Sequence, residues 1–110
     1  MSVDDLTDKD KKKLEFIQEL NENGFLDEML KSCKQYLNID FDEDNELIMN
    51  LIVMSVEYLQ NAGVRLQIVS SLYKQLICLL VFNFYEKRDN EKMNIFISNM
   101  INQLRYSQDV

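Results

Sequence analysis

The run Ile68 to Arg88, IVSSLYKQLICLLVFNFYEKR, constrains this chain more than any other stretch. It contains neither Gly nor Pro, and its apolar side chains fall in two adjacent rows. Ile68, Leu72, Leu76, Leu79, Leu80 and Phe84 make one row; Val69, Tyr73, Ile77, Val81 and Tyr85 make the other. Steps of three and four residues are the period of an α-helix. Two rows side by side form a stripe too wide to cover from one direction, so the run predicts a central helix over about 68–88 with the other elements packed around it. Leu72, Leu76, Leu80, Phe84 and Tyr85 are the core residues this places on the helix.

The rest of the sequence supplies the cover. A chain of 110 residues with a 46% hydrophobic share has the apolar surface for one core and fits a single domain over 1–110. There is no Pro, and the only glycines are Gly24 and Gly63, which suits long helices and argues against a sheet with many tight turns. The fold class expected is all-α, a small bundle of four to five helices. A first helix is predicted over about Lys9 to Asn23, capped by Thr7 or Asp8. It carries a narrow stripe of Leu14, Ile17 and Leu20 with Phe16 beside it, and Asn23-Gly24 is its stop. That helix buries little and is expected to lie loosely on the bundle or against a neighbouring subunit.

A second helix follows over about Leu26 to Leu37, with Leu26, Leu30, Cys33 and Leu37 on one face and Met29 and Tyr36 flanking. In the acidic loop after it, Ile39 and Phe41 are expected to pin the backbone to the core. Asp42 is the expected cap of the third helix, and Glu43, Asp44 and Glu46 sit where the positive end of the helix dipole favours carboxylates. The third helix places Leu47, Ile48, Leu51, Ile52, Ser55, Tyr58, Leu59 and Ala62 at helical spacing, with Leu47 and Leu51 in the core, and stops at Gly63. A short link over about Val64 to Gln67 then makes the third and central helices neighbours. Asp89-Asn90 marks a turn. A last helix over about Glu91 to Arg105 carries Met93, Phe96, Ile97, Met100, Ile101 and Leu104 on its face, and Tyr106 to Val110 form a free tail.

Composition narrows function by exclusion. The chain has no histidine, and its two cysteines, Cys33 and Cys78, both fall on apolar rows, so they read as buried thiols. The N-terminus, MSVDDLTDKDKKK, is charged rather than apolar, and synthesis in a reducing cytosol is expected. Net charge is −7; up to Glu46 there are 14 acidic and 6 basic residues, and from Leu47 onward 5 acidic and 6 basic. An acidic first half repels phosphate backbones, so specific nucleic-acid binding is not expected. DFDEDNE, with Asp40, Asp42 and Asp44, imitates the start of a calcium loop, but Asn45 stands where Gly is needed and Leu51 where the bidentate Glu is needed. Capping and solvation explain these carboxylates better than a metal. LICLLVF, Leu76 to Phe82, is too short to span a membrane. Met49, Met54 and Met93 fall near apolar faces as gap-fillers. Tyr85, Glu86, Arg88 and Asp89 form a polar-aromatic cluster in which Arg88 complements the negative end of the helix dipole. No base, nucleophile or cofactor motif converges anywhere, so no enzyme activity and no cofactor are expected.

Three stretches together resemble the small head–tail connector, or head-completion adaptor, proteins of long-tailed bacteriophages. They are LDEMLKSCKQYLNIDFDEDNELIMNLIVMSVEYLQNAG, Leu26 to Gly63; LICLLVFNFYEKRD, Leu76 to Asp89, with its Tyr85-x-x-Arg88 ending; and MINQLR, Met100 to Arg105. The likeness covers about 25–105 and leaves 1–24 as a polar lead-in and accessory helix. It implies a structural virion protein that assembles as a ring, commonly about twelve-fold, beneath the portal. Such a ring extends the DNA channel and offers a platform to the stopper or tail-completion protein, with DNA only passing through. It implies a place at the head–tail interface of the virion, after assembly in the host cytoplasm. Asp40, Asp42, Glu43, Asp44, Arg88, Arg105 and Tyr106 are the interface residues this reading favours. The rival reading is a cytosolic helical module that recognises one protein partner.

Overall fold

The computed structural model describes residues 8–22, 24–67, 69–86 and 91–107, and a few side chains within them are left aside. The expectations for Thr7, Leu14, Phe16, Asn23, Ile68, Arg88, Asp89, Asn90 and the last three residues fall outside the described residues and side chains. The fold is an all-α bundle of five helices: α1 (Asp8–Glu22), α2 (Phe25–Leu37), α3 (Asn45–Asn61), α4 (Ser71–Glu86) and α5 (Glu91–Ser107).

Helix α4 is the hub. It packs against α2, α3 and α5, whereas α1 attaches chiefly to α2. Tyr73, Leu76, Ile77, Cys78, Leu79, Leu80 and Val81 are all buried, so both apolar rows of the sequence are covered over the helix's middle. Leu72, Phe84 and Tyr85, nearer its ends, are half-buried against the same core. α2 contributes Phe25, Leu26, Met29 and Cys33; α3 contributes Ile48, Leu51, Ile52, Val56 and Leu59; α5 contributes Ile97, Met100, Ile101 and Leu104. The Phe25 and Tyr73 rings meet at 6.4 Å between centroids, and Tyr36 meets Phe82 edge-on at 5.8 Å. Buried Ser55 donates its hydroxyl proton to the Leu51 carbonyl at 2.8 Å, which satisfies it within its own helix.

Three reversals share one local design. Gly24, Asn38 and Gly63 all take positive φ, at 67°, 59° and 89°. After α2, the Asn38 N–H reaches the Gln35 carbonyl and the Ile39 N–H the Lys34 carbonyl. After α3, the Gly63 N–H reaches Gln60 and the Val64 N–H reaches Leu59. Both are Schellman motifs, in which a left-handed residue closes the last carbonyls and the next residue is apolar. Val64 is fully buried and Ile39 half-buried, and Phe25 after Gly24 is buried as well.

Several sequence expectations are corrected. The central helix starts at Ser71 rather than at 68: the Ser70 hydroxyl accepts the Tyr73 N–H at 3.2 Å as an N-cap, and Val69 stands 90% exposed ahead of it. The link from α3 is therefore longer than Val64 to Gln67. Asp42 does not cap α3; Asp44 holds the cap position, and neither side chain bonds the helix backbone N–H groups, because each has found a tertiary partner. Leu47, expected in the core, is 49% exposed, as are Met54, Tyr58, Phe41 and Phe96 to similar degrees. On α3 and α5 the bundle covers an arc narrower than the apolar arc the sequence offers.

Candidate interaction surfaces

The acidic loop is built where three helix ends meet. Asp42 accepts a proton from the Lys34 ammonium at 2.8 Å and from the Asn45 amide at 3.4 Å. The Lys34 contact holds its carboxyl below the usual carboxylate range. Asp44 accepts the Tyr85 hydroxyl proton at 2.6 Å, which joins the last turn of α4 to the start of α3. Donation to a carboxylate pushes the Tyr85 phenol up. Asp40 and Glu43 are exposed beside them. The carboxylates thus turn toward a cation and a hydroxyl rather than toward a common centre. Among the described residues no group of three or more His, Cys, Asp or Glu side chains is placed to hold a metal ion.

Arg105 and Tyr106 lie far from this loop. They end α5, Tyr106 is 78% exposed, and a Cβ placed on Gly63 would stand 3.2 Å from Arg105 Nε, so the guanidinium arm lies over the turn that ends α3. The candidate residues therefore do not form one cluster: the acidic set marks the N-terminal end of α3 and the Arg105–Tyr106 pair its C-terminal end, about 25 Å apart along a 17-residue helix.

Between them runs a feature that sequence reasoning missed. Leu47, Met54 and Tyr58, at spacings of seven and four, share the outer face of α3, each about half exposed. A groove on one flank is lined by Ile17, Leu26, Met49, Val53 and Met54, and a groove on the other by Tyr58, Asn83, Phe84, Asn94 and Ser98. The sequence signal for the stripe was only that α3 is apolar over too wide an arc. Phe96 is exposed elsewhere, because α5 turns by about 200° between Asn94 and Phe96 and so shows them on opposite flanks.

Along α3 the surface therefore runs from an acidic end, through an uncharged aromatic and methionine stripe, to a basic aromatic end contributed by α5. The chain belongs to the family of phage gp6-like head-tail connector proteins, whose profile matches residues 27–106. The family is structural, and its match opens two residues into α2, so α1 stands outside it. No curated protein and no solved structure matches the chain. Among the described residues, no helix is long and apolar enough to cross a membrane.

Proposed function

We propose that this protein is a virion connector that assembles as a closed ring, of about twelve copies, under the portal at the capsid vertex. The ring extends the DNA channel and presents its far side to a stopper or tail-completion protein. The family match over residues 27–106 carries the reading. Closed rings use heterologous contacts, in which two different surfaces of a subunit meet, and exposed apolar groups on distinct faces of α3 and α5 supply two. Asp40, Asp42, Glu43 and Asp44 are the proposed acidic side of a contact, and Arg105 and Tyr106 the anchors on the portal, since Arg and Tyr are enriched among residues that carry interface energy. In this reading residues 25–105 form the ring body, 1–24 an accessory helix outside the common pattern, and 106–110 the end that meets the portal; Tyr106 and Ser107, expected in a free tail, instead belong to α5. Net charge of −7 suits a conduit through which DNA slides without being gripped.

Co-sedimentation of the full-length protein with purified portal, followed by imaging of the pellet, tests the proposal. Full-length protein should decorate the portal as a ring, and deletion of Tyr106 to Val110 should weaken docking. Unchanged docking of the truncated chain removes the tail from the interface. Full-length protein that never associates with a portal or capsid vertex removes the connector role itself and leaves a cytosolic binding module.

A further inference from the structure

The two thiols of this chain come from helices 45 residues apart and meet inside the bundle. Cys33 on α2 and Cys78 on α4 have sulfurs 3.7 Å apart, with Cys33 fully buried and Cys78 7% exposed. Two sulfurs already in contact need only a short approach to bond, since a disulfide holds them about 2.05 Å apart. The contact is polarised: the Cys33 thiol donates to Cys78 Sγ. That hydrogen bond pulls the Cys78 thiol down and, with burial, pushes Cys33 up. Cys78, whose thiol is pulled down, is also the residue with the greater exposure, which favours it as the attacking cysteine with Cys33 resolving.

We propose that Cys33 and Cys78 are a dithiol modification site that closes to an intramolecular disulfide between α2 and α4 when the folded protein meets a small-molecule disulfide such as oxidised glutathione. The Cys78 thiolate attacks one glutathione sulfur, the glutathione disulfide breaks, and one glutathione leaves as a thiolate that takes up a proton. Cys33 then attacks Cys78 Sγ of the mixed disulfide, its proton passes to the second departing glutathione, and the Cys33–Cys78 bond forms. Two electrons move from the cysteine sulfurs to oxidised glutathione, which leaves as two reduced molecules. The bond would fasten the hub helix to α2 on passage from a reducing to an oxidising compartment. That passage rests on the virion reading, whereas the bond does not.

The test uses the isolated full chain, so its failure is separate from failure to dock on a portal. Folded protein is incubated with oxidised glutathione and followed by intact mass, peptide mapping and thermal melts, beside a urea-unfolded control. The expected product is a monomer lighter by two hydrogens, with a Cys33–Cys78 linked peptide and a melting midpoint raised on the order of 10 °C by the closed loop. Thiols that stay free in the folded chain while the unfolded control oxidises would make the pair a core filler and overturn the proposal; so would a product that stops at mixed disulfides or intermolecular dimers. The order of attack is read separately in variants whose far-UV spectra match the parent. Cys33→Ala should trap glutathione on Cys78, while Cys78→Ala should leave Cys33 unmodified. Equal capture in both variants refutes the assigned roles.

Discussion

Replacing Gly63 by Ala measures how α5 is fastened to the end of α3. Two costs add at this position. The first is backbone strain: a φ of 89° lies in the left-handed region, where an L side chain costs about 1–2 kcal/mol. The second is local displacement, because the new methyl would stand 3.2 Å from Arg105 Nε and 3.8 Å from its Cδ and Cζ. The three nearest heavy atoms all belong to the flexible Arg105 arm, so that arm must shift, at about 0.5–1 kcal/mol for a side chain forced off its rotamer. The sum is about 2 kcal/mol. A double-mutant cycle separates the parts: in an Arg105→Ala background the displacement cost disappears and only the backbone cost is left, so the cycle should return a coupling of about 0.5–1 kcal/mol. Urea titrations of the four proteins, with unchanged slopes, supply the numbers. A Gly63→Ala cost under about 0.5 kcal/mol would refute the left-handed turn, given the strain expected there. An equal cost in both backgrounds would refute the placement of Arg105 over α3.

Other substitutions check the core and its titrating groups. Leu80→Ala should cost about 2–5 kcal/mol in urea, because Leu80 is buried on the hub helix, while Leu47→Ala on the outer face should cost less than about 1 kcal/mol; similar losses for the two would invert the assigned faces. Among the described residues the buried Tyr73 hydroxyl has no hydrogen-bond partner, so Tyr73→Phe should leave stability unchanged or raise it by about 1 kcal/mol, and a clear loss by denaturation would reveal a bond to that hydroxyl. Burial pushes the Tyr73 phenol above its ordinary value, and donation to Asp44 pushes Tyr85 up as well. Both favour the neutral form in the folded state, so their contribution is fully present below the unfolded value of about 10 and is lost as pH rises through the folded values. Melting midpoints should accordingly fall between about pH 9 and 12, in a window set by that unfolded value, and less steeply in Tyr73→Phe; a midpoint flat across the range sinks the assignment.

Periodicity carried most of the bundle. The absence of Pro and the two-row pattern at Leu72 to Tyr85 led to the hub helix, and Gly63 led to the end of α3. What periodicity cannot encode is where cover stops. Leu47, Met54, Tyr58 and Phe96 fit helical spacing as well as Ile48 or Ile97 does, yet the neighbours reach only the inner arc. Backward extension of the hub failed for a related reason: Val69 continues the apolar rhythm, and only the Ser70 hydroxyl, an ordinary N-cap signal, marks the start. The acidic loop was read as helix capping because capping is local. Its actual partners, Lys34 eight residues away and Tyr85 forty-one residues beyond Asp44, are set by tertiary geometry that no local rule contains.

The way the helices neighbour one another bears on how the chain reaches its fold. Extensive packing joins α1 to α2, α2 to α3, α3 to α4 and α4 to α5, each a pair consecutive in sequence, and one further pairing, α2 with α4, skips a helix. Consecutive helical hairpins close small loops, and chains dominated by such local contacts fold quickly. Each helix can dock on the one before it as it emerges, so little apolar surface waits for a distant partner. The α2–α4 seam is the most extensive of those that span a greater length of chain, and it is the seam where Cys33 meets Cys78. Whether those two thiols are in contact therefore reports the completion of the most extensive non-local seam of the fold.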